Sequence, residues 1–179
     1  MSDFAFGGPR GGVIQMAYTV RDLDAAIDYW IKYLKVGPWF RLDHWTGTNA
    51  VYRGTASQAD MAIAMAFSGH MNIELMQPND RHPSVYREAI EKKGYGFHHF
   101  GRASDDIDRD VGVLEGQGYN PVFRAGVPTG GEVVYMEGGA DDPGYLELIP
   151  ATPAMEDAFT AFWRASVGWD GSDPVRPFG

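Results

Sequence analysis

The chain has 179 residues and is 44% hydrophobic, which is enough for one domain with a sizeable core. Its formal net charge of -9, with 15 basic residues scattered among 24 acidic ones, argues against nucleic-acid and anionic-membrane partners. The absence of cysteine excludes disulfides, thiolate metal sites and cysteine nucleophiles. No apolar run reaches the roughly 18 residues of a membrane span, and the first residues lack a signal-peptide pattern, so we expect a cytoplasmic protein.

The first half of the chain opens with a strand and a helix. Residues 1–11 are rich in glycine and are expected to form a flexible arm. Residues 13–20, VIQMAYTV, have the apolar composition of a strand, with one amide side chain, Gln15, in the middle. Apolar residues then recur on one helical face at Leu23, Ile27, Trp30 and Leu34. Asp22 is a candidate N-cap, and the Gly-Pro pair at 37–38 predicts the end of this helix.

Strands dominate the remainder of the first half. We predict them over 39–45, 48–54, 61–68 and 71–78. The last two are joined by Gly69 and His70 and have the pattern of a hairpin. A short helix over 83–93 is expected to end at Gly94.

The second half repeats this order. A strand over 97–103 is followed by a helical segment, 105–118, and we then predict strands over 119–125, 131–137 and 144–150. The tail, 151–179, begins with a helix whose aromatic residues need an apolar surface to cover them.

The two halves align as an internal repeat. A shift of 84 positions places Gln15 on His99, and the Asp-Leu-Asp turn at 22–24 on the Asp-Ile-Asp turn at 106–108. Each half is predicted to contain a strand, a helix and then further strands. The repeat predicts an α+β fold in which two βαβββ modules form one curved, eight-stranded mixed sheet around a cleft.

This fold defines the expected domain organisation. A single domain would cover residues 12–150, with modules at about 12–78 and 96–150. The arm before it and the C-terminal helix and tail after it, 151–179, lie outside the repeat.

Two polar residues interrupt the apolar strands of each expected module. They are Gln15 and Glu74 in the first module, and His99 and Glu147 in the second. Taken singly, each has an ordinary explanation as a solvent-facing glutamate, a hydrogen-bonded amide or a core histidine. Their equivalent places in two repeats favour a shared site, because a buried carboxylate must be paired, protonated or bound to a metal.

The four side chains form a ligand set for a divalent metal. One imidazole, two carboxylates and one amide oxygen suit Zn, Co, Ni or Mn with open positions for water or substrate. Such an ion can polarise a carbonyl or hold an enediolate, while a nearby carboxylate takes the proton from the adjacent carbon.

The same segments resemble a known superfamily, the vicinal-oxygen-chelate proteins. IQMAYTVRDLDAAIDYW, residues 14–30, resembles the opening of these proteins, with Gln15 at the metal-ligand position. GFHHFGRASDDID, residues 96–108, is similar to the second-module opening of the methylmalonyl-CoA epimerases, with His99 at the metal position. NIELMQP and YLELIP resemble the closing strands, which carry Glu74 and Glu147.

The ligand pattern favours one branch of the superfamily for the metal site. The order Gln, Glu, His, Glu resembles that of eukaryotic-type glyoxalase I. The epimerases carry His, Gln, His, Glu, so this chain departs from them at Gln15 and Glu74.

The resemblance implies a metal-dependent isomerase, epimerase or lyase. It would abstract a proton α to a carbonyl or thioester of a small-molecule substrate and stabilise the enediolate on the metal. Glu147 or Glu74 would be the base, and Gln15 and His99 would be ligands only. The resemblance also implies a homodimer, and the aromatic tail offers an apolar surface for one. The alternative is a metal-free protein of the bleomycin-resistance kind that sequesters a ligand.

Overall fold

Four helices pack against one large mixed sheet in the computed structural model of the protein, which describes residues 3–179. The helices are α1 (Leu23–Lys32), α2 (Val85–Lys93), α3 (Ile107–Glu115) and α4 (Pro153–Ser166). The strands are β1 (Val13–Thr19), β2 (Trp39–Trp45), β3 (Thr48–Tyr52), β4 (Thr55–Ala56), β5 (Met61–Ser68), β6 (Met71–Pro78), β7 (Gly96–Ser104), β8 (Asn120–Gly126), β9 (Glu132–Glu137), β10 (Tyr145–Pro150) and β11 (Val175–Pro177). None of the helices in this part of the chain is long and apolar enough to cross a bilayer.

The predicted α+β fold with two βαβββ modules is confirmed, but the predicted number of strands is wrong. The sheet has 11 strands in the order β11-β2-β5-β6-β1-β7-β10-β9-β8-β3-β4. The eight expected strands are the central ones in this spatial order, which runs from β2 through β1 and β7 to β8. The hairpin β3–β4 extends one edge, and the short strand β11 extends the other.

The two modules join within one chain. Strands β1 and β7 pair antiparallel at the centre of the sheet, and each pairs in parallel with the closing strand of its own module, β6 or β10. The four strands that carry Gln15, Glu74, His99 and Glu147 are therefore adjacent, in the order β6-β1-β7-β10.

Local sequence explains where the first helix begins and how it packs. Asp22 is the N-cap of α1, and its side chain accepts a hydrogen bond from the backbone of Ala25 at 3.0 Å. Leu23 and Ile27 are buried against the sheet, as their helical spacing predicts. The helix ends at Lys32, before the predicted Gly-Pro stop.

The curvature of the sheet brings its two ends together. Strand β2 ends at Trp45 near one edge, yet β3 begins at Thr48 and pairs with β8 near the other edge. A link of residues 46–47 therefore spans the opening of the curved sheet, where Trp45 packs edge-on against Phe123 of β8. The link depends on Gly47, whose φ is +72° and whose hypothetical Cβ would lie 2.7 Å from the Cβ of Ala125.

Gly47→Ala is expected to destabilise the protein by about 2 to 4 kcal/mol, because it combines left-handed backbone strain with a clash in the core. Gly54→Ala is the matched control, since its φ is +81° but nothing lies within 4 Å of its hypothetical Cβ. Strain alone predicts a loss of about 1 kcal/mol there. Urea unfolding of both variants measures the difference, and equal losses would contradict the close approach to Ala125.

The segments outside the repeat are packed against its sheet. The expected flexible arm begins with residues 1 and 2, which lie outside the described residues, but Phe4 and Phe6 are buried against α4. Arg10 also pairs with Glu156 of α4 at 2.7 Å. The packing of residues 3–11 thus differs from that of a free arm.

The aromatic tail likewise covers its own domain. Phe159 and Phe162 of α4 are buried, and Phe162 stacks on Phe40 of β2 with ring centroids 4.0 Å apart. These side chains pack within the chain, so they do not supply the free apolar surface that the sequence predicts for a homodimer. The homodimer remains a prediction of the resemblance.

Candidate functional site

The four residues predicted for the site come together at the centre of the sheet. Nε2 of His99 lies 3.0 Å from Oε2 of Glu147, 3.2 Å from Oε1 of Gln15 and 3.5 Å from Oε2 of Glu74. All four residues are buried, with relative exposures between 0% and 6%. Each contributes from a different strand of the same chain, so the cluster needs no second subunit.

Asn72 orients the amide of Gln15. Nε2 of Gln15 donates a hydrogen bond to Oδ1 of Asn72 at 3.0 Å, which leaves Oε1 of Gln15 facing His99. Asn72 is itself fully buried and donates toward the carbonyl of Ala66 at 3.5 Å. The sequence shows Asn72 on the same strand face as Glu74, but only the parallel pairing of β1 with β6 places it opposite Gln15.

His98 fixes the tautomer of His99. We assign the proton of His98 to Nε2, which lies 3.3 Å from the carbonyl oxygen of Val85; the opposite assignment would have Nε2 of His99 donate to Oε1 of Gln15 at 3.2 Å. Burial lowers the pKa of His98 well below its usual range, so the ring is neutral and its Nδ1 is an acceptor. Nδ1 of His99 lies 2.8 Å away and must therefore donate. Burial lowers the pKa of His99 to about 3, so its Nε2 carries no proton and faces the oxygens.

We expect nitrogen-15 NMR of the metal-free protein at neutral pH to show His99 as the Nδ1-protonated tautomer. His98→Phe keeps a ring between the flanking tyrosines but removes the acceptor. This variant is expected to lose the preference for that tautomer. A His99 that is Nε2-protonated in the unaltered protein would contradict the hydrogen-bond chain through Val85.

The site concentrates acceptor atoms and buried acid groups. Burial raises the pKa of Glu147 to about 8, and burial together with the charge of Glu147 raises the pKa of Glu74 well above its usual range. With His99 in the assigned tautomer, one nitrogen lone pair and three side-chain oxygens face one another. Such an arrangement requires either protons on the carboxyls or a cation among the four atoms.

The side chains contact one another directly as they stand. Within residues 3–179, no group of three or more His, Cys, Asp or Glu residues is already arranged to hold a metal ion. The predicted ligands are therefore together, but they are not spread around a common centre.

An apolar pocket opens from this cluster on the concave side of the sheet. Gln15, Glu74 and Glu147 line it, whereas His99 lies behind them and is fully buried. The sheet contributes apolar and aromatic walls from Leu42, Trp45, Ile63, Met65 and Tyr135, and α2 contributes Tyr86.

Segments outside the repeat complete the pocket. Met155 and Phe159 of α4 and Phe178 near the C-terminus also line the pocket. The loop at 127–129 forms part of the rim, and its Thr129 carbonyl accepts a hydrogen bond from the hydroxyl of Thr152 at 2.7 Å. The aromatic composition of the tail indicated that it must cover something apolar, but not that it would cover the site.

Comparison with solved structures finds relatives of the same fold. Methylmalonyl-CoA epimerase from Mycobacterium tuberculosis is 19% identical, with a TM-score of 0.58 over 82% of this chain and 91% of that one. A Streptomyces coelicolor methylmalonyl-CoA epimerase variant in complex with 2-nitronate-propionyl-CoA is 14% identical, with a TM-score of 0.58 over 81% and 97%. A hypothetical protein from Bacillus halodurans C-125 is 16% identical, with a TM-score of 0.57 over 78% and 94%. These similarities show a common fold.

The sequence comparisons define the family. No curated protein matches the chain at the sequence level. The family model of the Glyoxalase/Bleomycin resistance protein/Dioxygenase superfamily matches residues 14–135, which include nearly all of the first module and most of the second. The match and the paired βαβββ modules agree, and the chain belongs to the Glyoxalase/Bleomycin resistance protein/Dioxygenase superfamily.

Proposed function

We propose that the protein is a metal-dependent isomerase, epimerase or lyase that removes a proton from the carbon next to a carbonyl or thioester. One observation carries the proposal: four acceptor atoms face one another at the inner end of an apolar pocket. Buried acceptors without donors are costly unless a proton or a cation lies among them.

Gln15, Glu74, His99 and Glu147 would hold a divalent ion such as Zn, Co, Ni or Mn. Neighbouring ligands around an ion with bonds of about 2.1 Å are separated by about 3.0 to 3.4 Å. The distances from Nε2 of His99 to the three oxygens are 3.0 to 3.5 Å, so small side-chain displacements would admit the ion. A bound ion would polarise the substrate carbonyl and acidify the adjacent carbon–hydrogen bond. Metal binding is common in the superfamily, which agrees with this donor set.

The carboxylates are the groups able to accept the substrate proton. Glu147 and Glu74 both line the pocket, so their carboxylates are within reach of a substrate bound there. His99 does not line the pocket, and its Nδ1 is held by His98, so it acts as a ligand only. The amide of Gln15 cannot take a proton at neutral pH, so Gln15 also acts as a ligand only.

The test is exchange of the α-proton for deuterium, followed by proton NMR. The protein is supplied with each of the four metals and offered oxoaldehyde–thiol adducts, diketones with an α-hydrogen and acyl-CoA thioesters. Glu147→Gln, which keeps the shape and removes the base, is expected to lower exchange by about 100-fold or more. Full exchange by both Glu147→Gln and Glu74→Gln would show that neither carboxylate is the base.

A second function is favoured by the apolar, aromatic lining of the pocket. The same pocket would then bind a flat apolar ligand without catalysing a reaction, and Trp45 and Tyr135 would provide ring contacts. Absence of metal binding, together with ligand binding at this pocket, would establish this alternative.

A further inference from the structure

The C-terminal segment of the same chain forms part of the wall of the pocket. Met155 and Phe159 of α4 and Phe178 after β11 line it together with Gln15, Glu74 and Glu147. We call these three side chains the outer wall. They lie beyond residue 150 and so outside both βαβββ modules.

The outer wall is anchored at several points. β11 pairs with β2 in parallel, and the backbone N–H of Phe178 donates to the carbonyl of Arg41 at 3.0 Å. The ring of Phe178 packs edge-on against Phe162, with centroids 5.2 Å apart, and Phe162 stacks on Phe40. The wall is thus held by backbone pairing and by ring packing.

The pocket also lacks cationic side chains. Of the residues that line it in the described part of the chain, none is Lys, Arg or His, and the charged ones are Glu74 and Glu147. Arg41 of β2 is paired with Asp24 and Asp43, and Arg124 of β8 is paired with Asp108 and Glu132. A ligand that carries phosphates or a carboxylate would bring negative charge to an acidic, apolar enclosure without a partner.

We infer that the substrate is a compact, uncharged and largely apolar carbonyl compound, enclosed between the sheet and the outer wall. Its carbonyl end faces Gln15, Glu74 and Glu147, an orientation that rests on the proposed function, and its apolar end contacts Phe159 and Phe178. Phe178 sets the largest size that enters. This narrows the carbonyl and thioester substrates of the proposed function to uncharged ones, because no cationic side chain among the described residues that line the pocket would pair with the phosphates of an acyl-CoA.

The test compares the binding of three probes by isothermal titration calorimetry, with and without zinc. They are phenyl methyl diketone, which is compact and uncharged; benzil, which carries a second phenyl ring; and acetyl-CoA, which is polyanionic. The unaltered protein is expected to bind the methyl diketone best and to reject acetyl-CoA. Phe178→Ala is expected to improve binding of benzil relative to the methyl diketone by about 10-fold or more.

Two further variants control the experiment. Phe100→Ala makes the same truncation on β7 at a ring that packs with Phe97 and does not line the pocket, so the ratio of affinities is expected to stay unchanged. Phe178→Leu shortens the wall while keeping apolar packing, and it replaces Phe178→Ala if thermal unfolding shows that the alanine variant is not folded.

The outcomes separate this inference from the proposed function. Preferred binding of acetyl-CoA, binding of none of the probes, or the same affinity ratio in the Phe178 and Phe100 variants would overturn the inference. Binding of the methyl diketone by a protein that takes up no metal would support the enclosed apolar pocket while rejecting the metal-dependent chemistry.

Discussion

Replacing His99 by alanine is expected to weaken binding of a divalent metal by more than about 100-fold, since even the loss of a group that only orients a ligand costs 10- to 100-fold. Nε2 of His99 is the one nitrogen among the four predicted metal-ligand atoms, and it lies within 3.5 Å of the three ligand oxygens. Mass spectrometry of protein dialysed against each metal gives the stoichiometry, and calorimetry gives the affinity. We expect about one ion per chain for the unaltered protein.

His82→Ala is the matched control for this experiment. Its imidazole is exposed and pairs with Asp80 away from the site, so its loss is expected to leave the metal affinity unchanged. Metal binding is also expected to raise the melting temperature of the unaltered protein, because the ion binds only the folded state, and chelation is expected to reverse the rise. Equal metal affinity in His99→Ala and the unaltered protein would rule out the cluster as the binding site.

Phe6→Ala is expected to destabilise the protein by about 3 to 5 kcal/mol, the range for truncating a buried phenylalanine. Phe6 is fully buried, and its ring contacts Phe4, Phe67 and Phe159 at centroid distances of 5.2 to 5.7 Å. The N-terminal segment, β5 and α4 therefore share one aromatic cluster, which the substitution would empty at its centre.

Urea unfolding followed by circular dichroism measures this loss. Val113→Ala on the exposed side of α3 is the control, since its side chain is 53% exposed and surface truncation there is expected to change stability by less than about 0.5 kcal/mol. If Phe6→Ala behaved like the control, residues 3–11 would be the flexible arm that their glycine content predicts.

The repeat made most of the fold predictable from the sequence. Periodicity located the helices α1 and α3 and the hairpin β5–β6 within a few residues, because these features depend on local alternation and capping. The partner of a strand is a tertiary property. Residues 48–54 have the composition of a strand, but nothing local shows that β3 crosses to pair with β8. β11 has three residues and ends in proline, so it carries almost no strand signal.

The candidate site was predictable to the extent that it follows the repeat. Gln15 and His99 are related by the repeat, as are Glu74 and Glu147, and the pairing of β1 with β7 brings the two pairs together. The groups that orient them depend on register and burial instead. His98 reaches the carbonyl of Val85 in α2, a contact between elements that no spacing in the sequence indicates. The outer wall was missed for the same reason.

The pairing of β3 with β8 affects when the first half of the chain can complete its strand pairing during synthesis. β3 belongs in sequence to the first module, yet its hydrogen-bond partner is synthesised about 70 residues later. The first half cannot finish its sheet while it emerges from the ribosome, and it must wait for the second half with an edge unpaired. We therefore expect the two halves to depend on each other for folding, and we expect fragments produced by cutting the linker at 79–84 to acquire structure only on mixing.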